Sequence, residues 1–122
     1  MSLFDAPEYE SYIALCRELR LERTFELGDW VVYATDTTDV LAFDDNRDPN
    51  RTAEGVVWLP RLDQWLAMLE EAGVEGVVLE RLGSIFFATD RTPVTHSEGY
   101  ARRGNTREEA AARLWMAVTG RK

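Results

Sequence analysis

The side chains able to do chemistry lie in a few short segments of this chain. Asp44-Asp45-Asn46-Arg47-Asp48-Pro49-Asn50 sets acidic or amide oxygens at alternate positions, the ligand type that hard cations take from a tight loop. A helix–loop–helix calcium loop needs Gly at its sixth position and Glu at its twelfth, where Pro49 and Gly55 stand here. Arg47 and Arg51 add positive charge, so the segment reads as a solvated loop without a metal. Thr95-His96-Ser97-Glu98 holds the residue types of a nucleophile, a base and an orienting acid, but sequence neighbours seldom face one another productively. The carboxylate pairs Glu70-Glu71 and Glu108-Glu109 would do acid–base work only if buried together, and helix-surface positions predict solvated ones. Neither GxGxxG nor the P-loop pattern occurs. Cys16, the only cysteine, excludes an intrachain disulfide and is expected to be a small buried apolar residue. No catalytic residue, metal or cofactor is expected, and the chain reads as a non-enzyme.

One basic cluster remains. Arg102 and Arg103, with Arg91, Arg107 and Tyr100 nearby in sequence, offer planar guanidinium forks that hold a carboxylate or phosphate bidentately. With His96 they make a candidate ligand site beside a loop expected over 91–105. The same arginines would equally well pair with acidic groups of their own fold.

Charge is distributed unevenly. The net charge is −8, and residues 1–60 carry thirteen acidic against five basic side chains, whereas the remainder carries nine of each. Nucleic-acid binding draws its affinity from cations that neutralise phosphates, so this balance argues against it. An acidic patch of Asp36, Asp39, Asp44, Asp45 and Asp48 would instead attract a basic partner surface, or simply keep the protein soluble. A length of 122 residues is that of a single domain, and 45% hydrophobic residues can fill one core. No apolar run approaches the roughly 20 residues that span a bilayer, and the N-terminus has no export pattern. A cytoplasmic protein with no membrane contact is the expectation.

Periodicity and punctuation give the elements that must position these groups. A first helix is expected from Pro7 to Arg23, with Tyr9, Tyr12, Ile13, Cys16 and Leu19 on its apolar face. Strands are expected over 30–34, 40–43 and 56–59. A helix follows from Pro60 to Gly73, carrying Leu62, Trp65, Leu66 and Leu69 at spacings of three and four. Residues 76–80 and 84–88 read as a hairpin around Leu82-Gly83. A last helix opens at Thr106, where Glu109 completes a capping box, and closes at Gly120. Trp58, Trp65 and Trp115 sit on apolar stripes and are expected in the core. The fold class is α+β: an antiparallel sheet of four to five strands with three helices packed on it.

Two segments carry a resemblance. Trp58-Leu59-Pro60-Arg61-Leu62-Asp63-Gln64-Trp65-Leu66 and Thr106-Arg107-Glu108-Glu109-Ala110-Ala111-Ala112-Arg113-Leu114-Trp115-Met116-Ala117-Val118, with Gly28-Asp29-Trp30, resemble a group of small uncharacterised proteins encoded by tailed phages and prophages. The matching motifs are a helix start and an amphipathic helix, so the resemblance implies origin and fold more than activity. It implies an accessory protein in the host cell that binds a host protein, such as RNA polymerase or a defence nuclease, in host takeover or counter-defence. The acidic patch would then be the binding surface, acting as an inhibitor that mimics nucleic-acid charge. A small-molecule or nucleotide-binding domain with its pocket near 91–105 is the alternative, and a self-assembling virion component a third.

Overall fold

The computed structural model of the chain describes residues 7–21, 29–33, 40–42, 56–90 and 101–120. They belong to two compact units, Met1–Pro60 and Arg61–Lys122. The class is α+β, with three α-helices and antiparallel strands in two three-stranded sheets.

In the first unit a 3-10 turn, Pro7–Tyr9, leads into α1, Glu10–Leu19. The helix stops four residues short of the Arg23 expected from periodicity. Arg20 turns left-handed (φ 45°, ψ 55°) and its N–H donates to the Cys16 carbonyl at 3.0 Å, which closes the last turn. Tyr12, Leu15 and Cys16 form the buried face. The Tyr12 hydroxyl donates to the Pro60 carbonyl, tying α1 to the chain just after the third strand. The sheet has β1 (Trp30–Tyr33) between β2 (Val40–Ala42) and β3 (Val56–Trp58), antiparallel to both. Val31 and Val32 are successive and both fully buried. Successive strand residues face opposite ways, so both faces of β1 are covered and its near-continuous apolar run is accounted for. The Leu59 N–H donates to the Trp30 carbonyl at 2.8 Å, extending the β1–β3 ladder by one bond.

In the second unit α2 is Leu62–Glu71. It starts two residues beyond Pro60, because Arg61 is the extended N-cap and Gln64 Oε1 accepts from its N–H at 2.7 Å. The hairpin of β4 (Val77–Leu82) and β5 (Ile85–Asp90) turns on Gly83-Ser84. Gly83 has φ +65°, as the first position of a two-residue II′ loop requires. Gly73, after α2, is likewise left-handed. Then β6 (Ala101–Gly104) pairs antiparallel with β5 and leads into α3, Arg107–Thr119, which ends at Gly120 with φ 75°. This edge strand falls where a loop was expected. Ala-Arg-Arg-Gly has no apolar alternation, and its strand conformation comes from the ladder offered by β5. Helix α3 packs on α2, β5 and β6. Trp65 and Trp115 meet at 5.7 Å between ring centres, tilted by 56°. Trp65, Leu69, Ala88, Ala110, Ala111, Ala112 and Leu114 are fully buried.

Gly104 is where β6 and α3 come closest. A Cβ placed there would lie 2.6 Å from the Ala110 backbone nitrogen and 2.8 Å from Glu109 Cβ. Around Gly83 nothing lies within 4 Å, so only its backbone conformation resists a side chain. Gly104→Ala is therefore expected to destabilise the protein by about 3 kcal/mol through overpacking, and Gly83→Ala by about 1 kcal/mol through backbone strain. Urea unfolding of both variants checks the order; equal losses would contradict the close approach.

A candidate anion-binding hollow

The site begins with the pleat of β6. Gly104 and Arg102 stand opposite Phe86 and Ala88, on the side facing α3, while Arg103 stands opposite Phe87 on the other side. Among the described residues the sheet order β4-β5-β6 leaves the outer edge of β6 without a sheet neighbour. A hollow of about 550 Å³ lies along this region, lined by Ile85, Arg102, Arg103, Gly104, Asn105, Glu109 and Arg113. A smaller one of about 200 Å³ is lined by Arg102, Arg113, Met116 and Ala117.

The turn into α3 organises the larger hollow. The Thr106 hydroxyl accepts from the Glu109 N–H at 3.1 Å, as the capping spacing predicts. The return bond reaches one residue further than expected: Glu109 Oε1 accepts from the Asn105 N–H at 3.0 Å. Glu109 Oε2 accepts from Arg113 Nε at 3.2 Å and Nη2 at 3.0 Å. The Glu109 side chain is only 4% exposed while that of Arg113 is 43% exposed, so the pair holds a buried carboxylate and presents an arginine to solvent. The expectation of solvated carboxylates at Glu108-Glu109 is corrected here: both residues are buried, because β5, β6 and α2 enclose the first turns of α3. Glu70 and Glu71 are exposed as expected.

With its Nε–Nη2 edge on Glu109, Arg113 keeps the Nη1–Nη2 edge for a second planar anion. Arg102 donates from Nη1 to the Ala101 carbonyl at 2.7 Å and is exposed. Arg103 is exposed and has no partner among the described residues. Among the described lining residues three arginines stand against one carboxylate, a formal charge of +2. Guanidinium groups are suited to holding an oxyanion.

Of the residues singled out in the sequence, Arg102 and Arg103 line this hollow. Arg107 does not: its guanidinium stacks over Phe86, 4.9 Å from the ring centre. His96, Arg91 and Tyr100 lie outside the described residues, as do Asp36, Asp39, Asp44, Asp45 and Asp48. Arg113 was missed, although Glu109 four residues before it on the helix was a signal. Cys16 is buried. Among the described residues no cluster of His, Cys, Asp and Glu has the grouping to hold a metal, and no helix is long and apolar enough to cross a membrane.

Set against known proteins, the chain matches no family model, no curated protein and no solved structure.

Removing Glu109 unties the turn and the arginine together. Glu109→Ala is expected to cost about 2 kcal/mol of stability, since a buried carboxylate and the bonds it makes to Asn105 and Arg113 are lost. A double-mutant cycle with Arg113→Ala measures the coupling, expected at about 1 kcal/mol given the half-exposed arginine. Strict additivity would mean that the pair is incidental.

Proposed function

We propose that the second unit binds a small anionic ligand, carrying a carboxylate or phosphate, in the hollow that runs along β6, taking in residues of both its faces, to α3. The observation that carries this reading is the grouping of Arg102, Arg103 and Arg113 about one hollow in which Glu109, already engaged, is the one acid among the described lining residues. Guanidinium forks match planar or tetrahedral oxyanions, and Arg113 is pre-positioned by its bond to Glu109, which lowers the ordering cost of binding. The binding is non-catalytic in this reading, and a nucleotide is one member of the ligand class.

Thermal unfolding with added citrate or inorganic phosphate tests it. Ligand at ten times its Kd is expected to add about 1.4 kcal/mol of stability. Arg103→Glu, at an exposed position with no described partner, is expected to leave the unliganded protein unchanged and weaken binding at least tenfold. Equal stabilisation of the variant would overturn the reading.

The one-sided charge favours a second reading for the rest of the chain. In it, this is a phage or prophage accessory protein in the host cytoplasm that binds a basic surface of a host protein through Asp36, Asp39, Asp44, Asp45 and Asp48. Its support is the net charge of residues 1–60 and the resemblance carried by the 58–66 helix start, the 106–118 amphipathic helix and Gly28-Asp29-Trp30. Among the described residues Leu82 is the one exposed large apolar side chain. Pull-down from host lysate is expected to retain one protein at low salt and release it at high salt, because exposed charge pairs are screened. Changing the five aspartates to asparagine should abolish retention; a complex indifferent to both salt and substitution contradicts this reading.

A further inference from the structure

The two hollows are not independent. Arg102 and Arg113 line both, so their guanidiniums stand between the larger, polar space and the smaller one floored by Met116 and Ala117. The spacing on α3 explains the alignment. Glu109, Arg113 and Ala117 are successive i, i+4 neighbours and Met116 lies three residues beyond Arg113, which places all four on one helix face. That face grades from a carboxylate through an arginine to a thioether and a methyl group.

We propose that the ligand of this site is a two-part molecule, an oxyanion attached to a single apolar ring, and that the ring occupies the smaller hollow. This deepens the anion-binding reading and rests on it. The smaller hollow, about 200 Å³ and open to solvent, has room for one ring to lie against its floor. Methionine is unbranched and polarisable and fits itself to the edge of a ring. A guanidinium stacks on an aromatic face while its edge still bonds an oxyanion, so Arg113 or Arg102 serves both parts at once. The Nη1–Nη2 edge of Arg113, not used by Glu109, meets the anion, and the 116–117 floor meets the ring.

Calorimetric titration with inorganic phosphate and phenyl phosphate, at one ionic strength, tests it. Phenyl phosphate is expected to bind at least tenfold tighter. Ala117→Leu, which fills the smaller hollow, should remove that advantage and leave phosphate binding unchanged. Met116→Gln, a change of similar length, should reduce the advantage several-fold without the bulk of leucine. Equal affinities for the two probes in the unmodified protein overturn the two-part ligand while the anion site stands. A full advantage retained in both variants overturns the placement of the ring. Failure of both probes to bind overturns the anion site itself.

Discussion

A carboxylate with almost no access to water sits where β6 turns into α3, and the second unit is arranged around it. Glu109 accepts hydrogen bonds from the Asn105 N–H and from Nε and Nη2 of Arg113. Each offsets part of the cost of removing the charge from water, and none is replaceable by solvent at 4% exposure. The bond to Asn105 sets the angle at which the strand enters the helix. The absence of a side chain at Gly104 lets the two backbones approach closely enough for that bond to form. The bonds to Arg113 then decide which edge of its guanidinium faces outward. Capping, close packing and presentation of the arginine are thus one arrangement seen from three sides.

The two units carry different chemistry on similar scaffolds. Each combines helix with a three-stranded antiparallel sheet, with β1 in the middle of the first and β5 in the middle of the second. The connectivity differs, since β1 opens its sheet and β5 is the middle strand of a meander. The excess acid belongs to the first sixty residues, whereas the charge-balanced remainder brings three of its eight arginines to one hollow.

Much of the scaffold was legible in the residues. Helices α2 and α3 and the β4–β5 hairpin announced themselves, because apolar spacing, capping residues and a turn glycine all agree there. Helix ends were less legible. Arg20 gives no hint that it will take a left-handed conformation usually left to glycine, and Pro60 looked like a first helical residue although its carbonyl serves Tyr12. Strand β6 was invisible, since Ala101-Arg102-Arg103-Gly104 is extended only because β5 offers it a partner. The candidate site inherits that gap. Arg102 and Arg103 stood out as a basic pair, but Arg113 and the burial of Glu109 become meaningful only once β6 lies beside α3.

The outer edge of β6 has a consequence for how the protein keeps to itself. A strand with an unpaired ladder is a template for another chain, and flat apolar edges promote sheet-to-sheet aggregation. Here the edge carries exposed Arg102 and Arg103, so a second copy approaching in strand register would bring like charges together. The arginines therefore act as colloidal guards, whatever they bind. An oxyanion that neutralises them removes part of that mutual repulsion, which links occupancy of the hollow to the tendency of copies to meet edge to edge.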